Sequence, residues 1–109
     1  MKADPELVEK ARKALQSLHR ELVLAADDYG LLVRLEGDTL TVGARGPRSG
    51  KVTIEARPSG QVWIVAASRQ HKLDWDVVEN DFVLANTGQS LKQVAAEVLS
   101  VHFGEDITL

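Results

Sequence analysis

The chain has 109 residues and a formal net charge of −3, and 44% of its residues are hydrophobic although only 5% are aromatic. This length predicts one domain, residues 1–109, with a mostly aliphatic core. The chain has no cysteine, which excludes disulfides, thiolate metal ligands and a cysteine nucleophile. Its charge is too mild and too mixed to form a continuous basic face, so we expect no nucleic-acid partner.

The sequence also lacks the apolar segments that a membrane would recognise. No apolar run approaches the length needed to cross a bilayer. The opening residues, MKADPEL, lack the apolar stretch of a secretory signal. We therefore expect no membrane partner and a cytoplasmic location.

The first predicted element is a long amphipathic helix. Asp4 and Pro5 supply an N-cap and a residue favoured at the first helical position. Apolar residues then recur at spacings of three and four, which is typical of a helix with one buried face, and the pattern ends near residues 27–30. These apolar residues are Leu7, Val8, Ala11, Leu15, Leu18, Leu22 and Ala25.

A run of short strands follows, because the apolar period changes from helical to two after Gly30. Turn-forming residues at 36–38 and 57–60 separate neighbouring strands, and a glycine-rich loop covers 43–50. The predicted strands lie around residues 31–35, 39–42, 52–56, 61–68, 72–75 and 81–85.

A second helix is predicted near the carboxyl end. Ser90 can cap it, with Gln93 three residues later completing a capping box, and Gly104 is a natural stop. Its predicted buried residues are Leu91, Val94, Ala95, Val98 and His102.

The order of helix, strands and helix predicts an α+β fold. Short connections favour antiparallel pairing, since a parallel pair needs a long crossover. Two helices with one apolar face each need the same sheet to cover them, so both should lie on one of its faces. We therefore expect a two-layer sandwich in which the N- and C-terminal helices pack on one face of a five- to six-stranded antiparallel sheet. The other face is then open to solvent.

Trp63 is the sharpest feature of the sequence. Successive strand residues point to opposite faces, so its aliphatic neighbours should face the core and Trp63 should face away. A tryptophan on a polar surface is typical of a protein-contact anchor, and Gln61 and Arg57 would add directional contacts. The alternative is that Arg57, a loop or a side chain of the sixth strand simply covers the ring. The aliphatic neighbours are Val62, Ile64 and Ala66.

Two groups of carboxylates are candidate ligands for a hard cation, because such cations prefer oxygen. Glu21, Asp27 and Asp28 lie toward the end of the first helix, and the second group lies in the segment DWDVVENDF at 74–82. The alternative for both groups is a solvated turn. The three histidines have no neighbour at metal-ligand spacing.

Several short motifs occur in an order that spans essentially the whole chain. Pro58 stands three residues before Gln61-Val62-Trp63. The other motifs are Leu40-Thr41-Val42, Asp74-Trp75, Gly88-Gln89-Ser90-Leu91 and residues 104–109. Together they resemble the frataxin family, the small iron-linked proteins of iron–sulfur cluster assembly. The fold of that family, two helices on one face of an antiparallel sheet, agrees with the fold predicted above.

The resemblance implies a function. In frataxins the Gln-x-Trp strand presents its polar and indole groups on the open sheet face, where they contact the cluster scaffold and its cysteine desulfurase. Carried onto this chain, that partner-binding role falls on Gln61 and Trp63, and we add Arg57 beside them. The resemblance also implies iron, Fe²⁺ or Fe³⁺, held weakly by exposed carboxylates. We expect a monomer that is not an enzyme.

The acidic ridge that frataxins carry on their first helix and first strand is depleted in this chain. Its interrupting residues are Lys10, Lys13, Arg20, Leu32 and Arg34. The metal candidates that remain are Glu21, Asp27 and Asp28, with Glu36 or Asp38 as further ones. A second hypothesis therefore stays open, namely a protein-interaction module of the same fold with no iron-binding role.

Overall fold

The structure, a computed structural model, describes residues 5–44, 50–66, 69–104 and 106–109. Helix α1 (Pro5–Tyr29) comes first and helix α2 (Leu91–Phe103) comes last. The predicted N-cap Asp4 and residues 45–49 of the predicted loop at 43–50 lie outside the described residues. Gly43 and Ala44 continue a strand instead of starting that loop. The strands between the helices are β1 (Leu31–Glu36), β2 (Thr39–Ala44), β3 (Val52–Ala56), β4 (Val62–Ala66), β5 (Arg69–Asp76) and β6 (Asp81–Leu84).

The strands form one six-stranded antiparallel sheet in the order in which they occur along the chain. Its register places Leu40, Ile54 and Ile64 side by side on β2, β3 and β4. Side chains of both helices join these residues in one hydrophobic cluster. Both helices therefore lie on the same face of the sheet, and the predicted α+β two-layer sandwich is confirmed.

Each helix buries most of the residues that its apolar spacing predicts, although Leu7, Val8 and Ala25 of α1 are half-buried. Helix α1 buries Ala11, Leu15, Leu18 and Leu22. Helix α2 buries Leu91, Val94, Ala95, Leu99 and Phe103. Val98 and His102 are half-buried instead of buried, because Leu99 and Phe103 take the positions nearest the core. Within the described ranges, neither helix combines the length and the apolar content that crossing a bilayer requires.

The predicted ends of α2 are confirmed in atomic detail. The backbone N–H of Gln93 donates to Oγ of Ser90 at 3.3 Å, and the backbone N–H of Ser90 donates to Oε1 of Gln93 at 3.0 Å. This reciprocal pair satisfies two N–H groups that the helix itself leaves unbonded. Gly104 ends the helix with a φ of 68°, in the left-handed region that glycine enters readily.

Strand β5 is longer than the sequence predicts. It begins at Arg69 and not near residue 72, because its first residues continue the pairing with β4 as far as Ala66 opposite Arg69. The polar side chains of Arg69, Gln70 and His71 hide this part of the strand from an apolar pattern. The backbone pairing between β4 and β5 extends the strand, and a search for alternating apolar residues does not detect this pairing.

A tight turn between β3 and β4 fixes the relative positions of Arg57 and Gln61. The backbone N–H of Arg57 donates to the carbonyl of Gln61 at 2.8 Å, and that of Gly60 donates to the carbonyl of Arg57 at 2.9 Å. Gly60 has a φ of +88° and lies against α1, where an added Cβ would be 2.8 Å from Cβ of Leu7. The turn therefore needs glycine at this position both for its backbone angle and for its contact with the helix.

The substitution Gly60→Ala is expected to lower the free energy of unfolding by about 2–4 kcal/mol, because it adds a strained backbone angle and a clash with Leu7. Gly88→Ala is the matched control, since Gly88 has a φ of +74° but no atom within 4 Å of the added Cβ. The control should lose only about 1–2 kcal/mol. Urea unfolding measures both values. Equal losses would contradict the close approach of Leu7 to this turn.

Candidate protein-docking site on the open sheet face

Trp63 lies on the face of the sheet that carries neither helix. Its neighbours along β4, Val62 and Ile64, have 0% exposure, whereas Trp63 is half-buried. Since successive side chains of a strand point to opposite faces, the indole is turned away from the aliphatic core. The predicted orientation of Trp63 is confirmed.

Two cationic side chains lie over the ring of Trp63. The guanidinium carbon of Arg57 is 4.2 Å from the ring centroid, and Nζ of Lys72 is 4.6 Å from it. Arg57 follows β3, and Lys72 lies opposite Trp63 on β5, so the cations come from both strands that flank β4. Both distances are within the roughly 6 Å at which a cation is attracted to an aromatic face. The ring is therefore held from two sides.

Gln61 connects the indole to β5 through side-chain hydrogen bonds. Nε1 of Trp63 donates to Oε1 of Gln61 at 3.0 Å, and Nε2 of Gln61 donates to Oδ1 of Asp74 at 2.8 Å. The amide of Gln61 thus accepts on one side and donates on the other, which fixes its orientation. The indole N–H, the one polar group of the ring, is satisfied within the protein.

Arg57 is anchored by the carboxylate of Glu55, which accepts from the guanidinium at 2.6 Å. The side chains of both residues remain partly exposed, at 39% and 28%, so this pair positions the guanidinium more than it stabilises the fold. The term Trp63 cluster is used below for these outward-facing side chains. Its members are Glu55, Arg57, Gln61, Trp63, Lys72 and Asp74.

The structure brings together the three partner-binding residues predicted from the sequence, Arg57, Gln61 and Trp63. Lys72 was missed. Its place opposite Trp63 depends on the register of the β4–β5 hairpin, and the two residues between these strands, Ala67 and Ser68, carry no Asn-Gly or glycine signal that would have fixed that register. The partner-binding role of the cluster stays a prediction.

The predicted metal ligands on α1 are spread along the helix. Oε2 of Glu21 lies 3.7 Å from Nζ of Lys92 on α2. Asp27 and Asp28 are exposed in the last turn, and Glu21 is about 10 Å from Asp28 along the helix axis. Among the residues that the structure describes, no group of three or more His, Cys, Asp or Glu is placed to hold a metal ion. On α1 a cation would therefore meet individual carboxylates and not a group of converging ligands.

The two further carboxylate candidates lie at the β1–β2 turn, and each contacts an arginine. Oε1 of Glu36 is 2.9 Å from Nε of Arg34 on the same strand. Oδ1 of Asp38 accepts from Nε of Arg12 at 3.1 Å, which ties the turn to α1. The charge that would attract a cation is thus partly neutralised at both positions.

Comparisons with known proteins give a match in structure but not in sequence. No protein-family model matches the chain, and no curated protein matches it either. The frataxin from Psychromonas ingrahamii, from a study of the CyaY protein family, superposes with a TM-score of 0.72 at 13% identity, over 93% of this chain and 95% of that one. Yeast frataxin superposes with a TM-score of 0.65 at 19% identity, over 91% of this chain and 81% of its own.

These superpositions show the fold class of the chain. The chain is an α+β sandwich with two helices on one face of an antiparallel sheet, and it shares this arrangement with both solved structures over most of each chain. More particularly, the chain has a frataxin-like fold, as the sequence motifs predict.

Iodide is expected to quench the fluorescence of Trp63 more strongly than caesium, because the cations of Arg57 and Lys72 lie over the ring, whereas the carboxylates of Glu55 and Asp74 bind Arg57 and Gln61. The variant Trp75→Phe isolates Trp63, since the chain has two tryptophans. Adding Lys72→Gln to that variant should weaken quenching by iodide and strengthen quenching by caesium. Stern–Volmer plots measure both.

The matched control for this experiment is Lys10→Gln, again in the Trp75→Phe background. Lys10 belongs to α1 and lies over the ring of Trp75, at 4.9 Å from its centroid. Its removal should leave quenching of Trp63 by both ions unchanged. Identical quenching by iodide and caesium, insensitive to Lys72→Gln, would contradict the cationic surroundings of Trp63.

Proposed function

We propose that this protein is a frataxin-like component of iron–sulfur cluster assembly. In this proposal it docks through the Trp63 cluster onto the complex of cysteine desulfurase and scaffold protein. The observation that carries the proposal is a half-buried indole on the helix-free face, held between two cations and an amide. The frataxin-like fold and the sequence motifs support it.

The arrangement of the Trp63 cluster suits a docking anchor because the indole is already ordered. Its N–H is bonded to Gln61, and its ring is flanked by Arg57 and Lys72. Binding through an ordered side chain loses less conformational freedom than binding through a mobile one. Tryptophan also supplies a large contact area, which is why it is enriched among the residues that dominate binding energy.

The charges of the cluster favour a partner surface that carries a carboxylate near the indole. Arg57 is paired with Glu55, whereas Lys72 has no ion pair with any described residue and contacts the ring instead. An acidic side chain of the partner that reached Lys72 would gain a charge-assisted contact and would be steered toward the cluster. Docking should therefore weaken as salt is added.

The proposal includes no chemistry performed by this chain. The described members of the Trp63 cluster are an indole, an amide, two cations and two carboxylates that already accept hydrogen bonds. They form no pair of nucleophile and general base. We therefore propose a non-enzymatic protein that acts on cluster assembly by binding, and we propose separately that it is cytoplasmic and monomeric.

Trp63→Ala is expected to raise the dissociation constant for the desulfurase–scaffold complex by about thirtyfold or more, which corresponds to the loss of a dominant contact residue. The fold should survive, because the indole contributes nothing to the helix-covered core. Surface plasmon resonance with the immobilised complex measures the affinity, and urea unfolding checks the fold.

Leu32→Ala is the matched control for Trp63→Ala. Leu32 is another large apolar side chain on the same open face, on the edge strand β1, and it is 52% exposed. Its removal should change the affinity by less than about twofold. If Trp63→Ala binds as tightly as the unaltered protein, or if both variants lose the same affinity, the proposed role of Trp63 is wrong.

Iron is the second part of the proposal, and it depends on carboxylates of α1. Glu21, Asp27 and Asp28 approach the carboxyl end of the helix, where the backbone dipole already has negative potential and no basic residue stands in the last turn. We propose that Fe²⁺ or Fe³⁺ binds there weakly, through one or two carboxylates at a time. Such binding should be sensitive to salt.

A second candidate function, an interaction module with no iron role, is favoured by a specific observation. No three potential metal-binding side chains converge among the described residues, and the carboxylate of Glu21 is already close to Lys92. In this case binding of a partner through the Trp63 cluster would be the whole function of the protein. The two candidates share the docking surface and differ only in what α1 binds.

Iron titration followed by amide NMR separates the two candidates. We expect selective broadening at residues 21–28 at millimolar iron, lost in the double variant Asp27→Asn, Asp28→Asn and at high salt. The internal control is the acidic turn at 76–81, which should broaden less. Equal broadening of both regions, or none at millimolar iron, would favour the module without iron.

A further inference from the structure

A cleft of about 520 Å³ lies between α2 and the helix-covered face of the sheet, on the opposite side from Trp63. One wall is apolar and includes Leu84 of β6 together with Val94 and Val98 of α2. This volume is within the roughly 300–1,000 Å³ range of small-molecule sites in proteins, which are mostly apolar with a few placed polar groups. The cleft is therefore large enough for a small organic ligand.

The wall formed by β5 carries nitrogen donors where the core pattern calls for apolar side chains. His71 lies opposite the fully buried Ile64, and Arg69 lies opposite Ala66, so both occupy helix-side positions of the strand. Both line the cleft. Neither side chain forms a hydrogen bond or ion pair with any part of the chain that the structure describes. Their N–H groups are thus available to a ligand.

His102 adds a third nitrogen-bearing side chain from α2. It lines the cleft, and its Nε2 is buried without a hydrogen-bond partner among the described residues. Buried polar atoms of this kind are rare and call for a partner. The same ring packs against Gly50, where an added Cβ would lie 2.8 Å from Nε2. Three nitrogen-bearing side chains therefore share the cleft with an apolar wall.

The carboxylate that lines the cleft already has a hydrogen-bond partner on the chain. Glu97 accepts from Nε2 of Gln89 at 3.0 Å, and Oε1 of Gln89 in turn accepts from the hydroxyl of Thr87 at 3.2 Å. Glu97 is thus engaged in a chain of hydrogen bonds along α2 and the turn before it. Among the lining groups without a partner in the described residues, the guanidinium of Arg69 can only donate and carries a fixed positive charge, which favours an anion over a cation.

We propose that this cleft binds a small organic carboxylate with an aliphatic body. The carboxylate accepts from Arg69 and His71, for which the planar guanidinium offers a matching pair of donors. The aliphatic body packs on Leu84, Val94 and Val98. This site is independent of the docking function proposed for Trp63, since it uses the other face of the sheet.

Titration of the full chain with sodium octanoate, below its micelle concentration, tests the proposal by amide NMR. Saturable shifts are expected at Leu84, Val94 and Val98. The double variant Arg69→Gln, His71→Gln should raise the dissociation constant about tenfold, because two partly exposed charge-assisted contacts are lost. Octanol, which has the same body without the charge, should bind about as weakly to the unaltered protein as octanoate binds to this variant.

Arg34→Gln is the matched control, since Arg34 is an exposed arginine on a strand but lies outside the cleft. It should leave the dissociation constant of octanoate unchanged. Val98→Phe, which fills the cleft from α2, should abolish the saturable shifts while the far-UV circular dichroism stays the same. Equal affinity for octanol and octanoate, an equal loss in Arg34→Gln, or shifts that never saturate would overturn the proposal.

Discussion

Burial on one face only is the constraint on which the rest of this structure depends. Both helices cover the same face of the sheet, so the central strands must alternate between a core residue and an outward residue. Every second residue of β3 and of β4 is buried, and Ile54 and Ile64 lie side by side with no exposure. A slip of one residue in β4 would expose Ile64 and push Trp63 beneath the helices. The position of Trp63 thus follows from the packing of its neighbours.

The surroundings of Trp63 reconcile two interpretations that the sequence left open. Arg57 does cover part of the ring, as the alternative to a docking role supposes, and Lys72 covers it from the other strand. Long cationic side chains can cover apolar surface with their stems and still keep their charges in water. The cover by Arg57 is therefore compatible with the docking role proposed above, because Arg57 and Lys72 belong to the proposed docking surface themselves.

Features that depend on local chemistry could be predicted from the sequence, and features that depend on pairing at a distance could not. The capping box of Ser90 and the stop at Gly104 follow from neighbouring residues, and both are confirmed. The contact of Lys72 with Trp63 depends on the register of the β4–β5 hairpin, and no turn-forming residue in the sequence predicts that register. The distance of about 10 Å between Glu21 and Asp28 could also be predicted from the sequence, since it follows from the rise per residue of a helix.

Strand β5 shows why the apolar pattern stops where it does. Its helix-side residues are polar in the first half, Arg69 and His71, and apolar in the second half, Leu73 and Trp75. Leu73 is fully buried in the core, whereas the polar half faces the cleft beside α2. A pattern search finds only the apolar half, so it begins the strand three residues late. The same residues that hide the start of β5 from the sequence leave the cleft unfilled, because donors that need a partner cannot close an apolar core.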